Sequence, residues 1–124
     1  MKSSFNLSER LINFAVSMMK PGEKLPKTLA GNYLAGQVTR NGASPALHCG
    51  EAQGAESRSD FIHKMKVAVK ELRETNNCIK IINKMNWFEE DGLSSEQSEC
   101  NELISIFIKS ITTAQKNREA DKSK

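Results

Sequence analysis

Nothing in this 124-residue chain resembles a metal ribbon, a redox motif or a disulfide framework, because its three cysteines, Cys49, Cys78 and Cys100, lie far apart with no CxxC pair. Aromatic residues make up only 6% of the sequence, and Trp87 and Tyr33 stand alone, so there is no interleaved platform on which nucleic-acid bases could stack. No apolar run approaches the roughly 20 residues that a membrane helix requires. Glu9 and Arg10 interrupt the stretch from Met1 to Met19, so no secretory leader is expected and the cytoplasm is the expected location. GxGxxG and GxxxxGK[ST] are both missing, as is any strand pattern to carry them, which disfavours nucleotide-dependent chemistry. What is present, 38% hydrophobic and 27% charged residues, suits one compact domain that folds without a staple.

The periodicity is helical throughout. Leu7, Leu11, Phe14 and Met18 step by four, three and four, with Ile12, Ala15 and Met19 widening the stripe, which predicts an amphipathic helix over Asn6 to Met19. Asn6 and Glu9 have capping-box spacing, and Pro21-Gly22 is expected to end the helix before a loop at Lys24 to Lys27. From Thr28 to Gln53, Gly31, Gly36, Gly42, Gly50 and Pro45 argue against helix. Yet Gln37, Arg40, Ser44, His48 and Glu51 fall three, four, four and three apart, a polar line that only a nearly continuous helix aligns. One helix kinked at Pro45 is therefore expected.

A third helix follows from Phe61, Met65, Ala68, Leu72, Thr75, Ile79 and Ile82, which alternate steps of four and three. Ser57 with Asp60 starts it, Lys80 and Lys84 complement the dipole at its end, and Asp91-Gly92 turns the chain. Cys100, Ile104, Phe107, Ile111 and Ala114 define a fourth helix that opens on a Ser94–Gln97 capping pattern and is closed by Lys116 and Arg118. Its additional Leu103, Ile106 and Ile108 fit either a central helix touching two neighbours or a subunit interface. The expected architecture is an all-α, antiparallel up-and-down four-helix bundle over residues 1–118, with a polar, frayed tail over 119–124.

Charge is uneven along the chain. Residues 1–45 hold six basic and two acidic side chains, residues 46–108 seven and eleven, and residues 109–124 five and two, for a net +3. Both ends are basic, with Lys2, Arg10, Lys20, Lys24 and Lys27 at one and Lys109, Lys116, Arg118, Lys122 and Lys124 at the other. Any nucleic-acid binding would be led by phosphate contacts and weakly sequence-specific. The residues expected to carry it are Lys20, Lys24, Lys27, Arg40, Lys116 and Arg118. The alternative ligand is a protein docking on the acidic group Glu89, Glu90, Asp91, Glu96 and Glu99.

His48, Cys49 and Glu51 have the residue types of a cysteine nucleophile, but adjacent helical residues point about 100° apart, so His48 cannot readily activate Cys49. No His or Cys pair sits at i, i+3 or i, i+4, so neither metal nor cofactor is expected, and no enzymatic activity is expected. The stripe Gln37, Arg40, Ser44, His48 and Glu51 is expected to serve structural pairing ahead of ligand binding.

Several runs together carry a resemblance: Gln37-Val38-Thr39-Arg40, Ser44-Pro45-Ala46, Gly50 through Ser57, Asp60 through Met65, and Lys70 through Thr75. Over roughly residues 8 to 117 the chain resembles the bacterial four-helix bundle family named for proteins encoded in intervening sequences of large-subunit ribosomal RNA genes. The resemblance implies an antiparallel bundle that assembles as a ring-like homopentamer. A related branch, the accessory variability proteins of diversity-generating retroelements, forms basic barrels that bind nucleic acid and a reverse transcriptase, which implies RNA or DNA and such an enzyme as partners. The chain departs from the family at His48, where asparagine is usual, and at Asn41-Gly42, where small apolar residues are usual.

Overall fold

The computed structural model describes residues 6–89 and 91–123. Four helices follow in chain order: α1 (Leu7–Lys24), α2 (Leu29–Gln53), α3 (Arg58–Met85) and α4 (Ser94–Ser123). Each packs most extensively on its neighbour in sequence, and α1 closes on α4 through a narrower seam. Contacts that run in opposite directions along paired helices make the bundle antiparallel. Gly22 lies against Thr39 and Gly42 against Met18; His48 meets Glu71; the Cys100 thiol donates to the Leu72 carbonyl while Arg118 reaches Ser59.

The predicted core stripes converge on one interior. Leu11, Phe14 and Met18 of α1, Val38 of α2, Leu72, Ile79 and Ile82 of α3, and Leu103 and Phe107 of α4 are all essentially inaccessible to solvent. Thr75 is also fully buried; its hydroxyl is satisfied by donating to the Glu71 carbonyl at 2.9 Å. Among the described residues, no helix is long and apolar enough to cross a membrane.

Several boundaries differ from expectation. α1 does not stop at Pro21 but runs to Lys24. Burial of Gly22 and Leu25 against the rest of the bundle outweighs the lost hydrogen bond, a proline penalty of about 3 kcal/mol. Asn6 precedes α1 without a side-chain capping bond. Ser94 is the first helical residue of α4, and the Asn83 side chain, from the end of α3, accepts from the Leu93 N–H at 2.9 Å. Ser57 does cap α3, accepting from the Asp60 N–H at 3.0 Å, and α3 ends on Asn86 in the left-handed region. α4 continues past Arg118 as far as Ser123.

α2 is helical from Leu29 to Gln53 with Pro45 inside it, the continuous element that the polar line requires. Two of its glycines are explained by close approach. A Cβ at Gly42 would stand 2.8 Å from the Met18 Cβ, and one at Gly31 would stand 1.9 Å from the Pro26 carbonyl oxygen. Glycine is thus the residue that lets α1 and the preceding loop come so near to α2, while Gly36 and Gly50 face open space.

Candidate nucleic-acid interface

The structure divides the residues expected to bind nucleic acid. Lys20 and Lys24, on the last turns of α1, line a groove of about 460 Å³ with Phe88, Leu93 and Glu96 beside the start of α4. Lys27 is exposed in the following loop. Lys116 and Arg118 belong to the opposite end: 22 residues of helix separate Ser94 from Lys116, about 33 Å. Arg40 is exposed midway along α2. No single patch of one chain gathers all six.

Their availability differs as well. Lys20, Lys24, Lys27 and Lys116 are exposed, whereas Arg118 is half-buried, reaching the Ser59 hydroxyl at 3.4 Å while its buried Nε has no partner. Arg10 is committed: its Nε and Nη2 grip Glu99 at 3.0 and 2.7 Å, and Glu102 lies 3.1 Å away. Those carboxylates raise the guanidinium pKa above its already high ordinary value. Lys109 is exposed and lines a groove of about 740 Å³ with Phe61, Arg58 and Thr113. Lys2, Lys124 and the side chain of Lys122 lie outside the described part of the chain.

The acidic alternative is diminished by the same contacts. Glu99 is held by Arg10 and Glu96 is half-buried, leaving Glu89 and Asp91 exposed. Glu90 lies outside the described residues.

Within the polar stripe, the bonding is local except at one position. Gln37 accepts from the Asn41 amide at 3.2 Å, and Ser44 donates to the Arg40 carbonyl one turn earlier. Among the described side chains of the stripe, His48 is the one that hydrogen-bonds between helices, Nδ1 lying 2.7 Å from Glu71 Oε1. An ionised carboxylate only accepts, so Nδ1 carries the hydrogen. This bond ties α2 to α3 and commits Nδ1 of the imidazole to Glu71; the neighbouring Cys49 is buried, with its thiol pKa raised by desolvation. The side chain of Glu51 lies outside what the structure describes. Glu71 is the functional partner that spacing on α2 could not reveal. Among the described residues, no group of three or more His, Cys, Asp or Glu side chains is placed to hold a metal ion.

The most exposed large apolar side chains lie on α2 rather than α4. Leu103 is fully buried and Ile104 packs against the core, so that α4 keeps only Ile108 as a large exposed hydrophobic residue. α2 instead exposes Leu29 at 92%, Tyr33 at 65% and Leu47 at 68%. Leu29 and Leu47 are five full helical turns apart and so point the same way, with Tyr33 close to that direction.

Comparison with known proteins agrees with this architecture. A crystal structure of a protein of unknown function from the S23 ribosomal protein family of Bacteroides thetaiotaomicron VPI-5482 superposes with a TM-score of 0.78 at 23% identity, covering 90% of this chain and 99% of that one. No curated protein matches the chain. The model of one family, the 23S rRNA-intervening sequence proteins, matches residues 4–109, most of the chain and all of its core except Ile111 and Ala114. A four-helix bundle built on these residues thus belongs to the 23S rRNA-intervening sequence protein family.

Proposed function

We propose that this chain is a non-enzymatic, homo-oligomeric helical scaffold of the cytoplasm whose ligand is nucleic acid. The observation that carries self-association is the outward face of α2, where Leu29, Tyr33 and Leu47 remain exposed. Large apolar side chains lined up along one helix face are the usual mark of a surface covered in an assembly. The pentamer of the related proteins sets the expected count. Five copies of a +3 chain carry about +15, enough for long-range attraction of phosphate backbones. Lys20, Lys24, Lys27, Lys116 and Arg118 supply contacts at the helix ends, while Arg40, which shares the face of α2 that carries Leu29 and Tyr33, falls within the surface covered by self-association and adds only to the overall charge. A nucleic-acid enzyme such as a reverse transcriptase fits as a neighbour on the same polymer.

Sedimentation of the purified, nuclease-treated protein tests the assembly, with a mass five times that of the chain as the expected result. A monomer at micromolar concentration overturns it. Titration with structured RNA and duplex DNA at low and physiological salt tests the ligand. Binding that weakens steeply with salt supports the scaffold, and failure to bind at low salt moves the ligand to a protein.

A further inference from the structure

α3 carries a second periodic pattern beside its core stripe. Lys66, Lys70, Arg73, Asn77, Lys80 and Lys84 recur at steps of four, three, four, three and four, and so share one side of the helix. All six are exposed. None joins a salt bridge among the described residues. The row from Lys66 to Lys84 spans about 27 Å, one turn at a time. Lys66, Lys70, Arg73 and Asn77 line a shallow groove of about 400 Å³ that also takes Val69, Glu74 and, from α4, Ile111.

The acids nearby are mostly engaged elsewhere. Glu71 holds His48, Asp60 holds Lys64, and Asp121 holds Arg58. Glu74 alone stands in the groove, and its charge, like that of Arg40, also acts on the Cys78 thiol at the α2–α3 contact. Five cations therefore face one carboxylate, and mutual repulsion along the row is relieved only by counterions or by a polyanion.

We propose that this ridge on α3 is the track along which the protein binds the phosphate backbone of double-helical nucleic acid. The inference rests on the nucleic-acid reading above and moves the principal contacts from the bundle ends to the side of α3. A rigid 27 Å row matches about eight base-pair steps at 3.4 Å each. It contains no aromatic residue on which single-stranded bases could stack. A bilayer is the poorer occupant, since the apolar side of α3, with Met65, Leu72 and Ile79, is buried in the core and cannot enter lipid. Recognition through lysine and arginine on phosphates orients the duplex without reading its sequence.

The test compares the full-length protein with the Lys66→Gln/Lys70→Gln/Arg73→Gln/Lys80→Gln variant. Glutamine has nearly the helix propensity of lysine and arginine, so circular dichroism and the urea midpoint should be preserved. A milder Lys70→Gln/Arg73→Gln variant serves if the quadruple one does not fold. Probes are a labelled hairpin RNA, a duplex DNA of equal length and anionic phosphatidylserine vesicles. Five phosphate contacts imply that a fourfold rise in salt weakens duplex binding about 500-fold, with a logarithmic slope of about −4.5. The quadruple variant should flatten that slope by about 3.6 and the double variant by about 1.8. Loss with only one of the two polymers also supports the ridge and identifies its natural ligand. A wild-type slope in the ridge variants, with binding lost instead in Lys24→Glu/Lys27→Glu, overturns the ridge and leaves nucleic acid at the bundle ends. Wild-type protein that binds neither polymer overturns both readings, and capture by vesicles alone replaces nucleic acid with a membrane surface.

Discussion

Two glycines on one helix should respond to the same substitution with opposite signs. At Gly36, which is exposed and has nothing within 4 Å of an added Cβ, alanine gains helix propensity and stabilises the fold by about 1 kcal/mol. At Gly42 the same gain applies, but the new methyl would lie 2.8 Å from the Met18 Cβ and 3.0 Å from its Cγ. Ordinary carbon contacts sit at about 3.5–4.0 Å, so α1 and α2 must separate by most of an ångström. Met18 cannot turn away, because its Cβ is fixed by the backbone and the side chain is fully buried. Overpacking of this kind costs about 2 kcal/mol, leaving Gly42→Ala destabilised by about 1 kcal/mol net. The two variants should thus differ by about 2 kcal/mol in urea unfolding, read as separate midpoints with equal m-values. Equal stabilisation by both would refute the claim that glycine sets the α1–α2 distance.

Removing the fully buried ring in Phe107→Ala should cost about 3–5 kcal/mol by chemical denaturation, with the fold retained only if the parent is well above that margin. Arg10→Ala breaks a forked, partly buried ion pair and should cost about 1 kcal/mol, a loss that shrinks in urea melts run at 1 M salt. All three thiols are buried; desolvation raises the pKa of Cys49 and Cys78 and carries Cys100 to about 12, so a thiol reagent at pH 8 should label the native protein slowly and the denatured chain at all three sites. Because the unfolded thiols ionise near 9.0 and burial raises all three in the fold, their contribution to stability is complete below that pH and is lost as pH rises above it, for Cys100 on the way to about 12, which urea midpoints measured across the alkaline range should follow.

Apolar steps of four and three predict α1, α3 and α4, since burial of Leu72, Ile79 and Phe107 follows directly from spacing, while α2 is legible only through its polar line. Ends were less legible because they depend on tertiary partners. Pro21 stays helical through the burial of its neighbours, and the start of α4 is met by Asn83 from α3 instead of its own Ser94. The role of His48 required the register of α2 against α3, which no local pattern encodes; only the structure brings Glu71, 23 residues away, to its ring. The α3 ridge was written in the sequence but concealed by counting charge in segments. Residues 46–108 are acidic in sum, seven against eleven, while the helix sorts five of those seven cations onto one side. Conversely, of the extra apolar residues of α4 only Leu103 is fully buried, Ile106 being half-buried and Ile108 exposed, while the most exposed large apolar side chains, Leu29, Tyr33 and Leu47, stand on the glycine-rich α2.

Packing in strict chain order shapes how the molecule folds. Most contacts join helices that follow one another, so little loop entropy is lost before a native contact forms, and folding should be fast for a chain of this length. The α1–α2 hairpin, with its glycine-mediated approach, can form as soon as both segments have been synthesised. The seam between α1 and α4 joins the most distant parts of the chain, and there polar Asn13, Ser17, Ser95 and Glu96 surround the Arg10 fork. Amide hydrogens flanking that seam should therefore exchange at lower opening energies than those of α3, making the edge where the bundle closes last also the edge where it opens first.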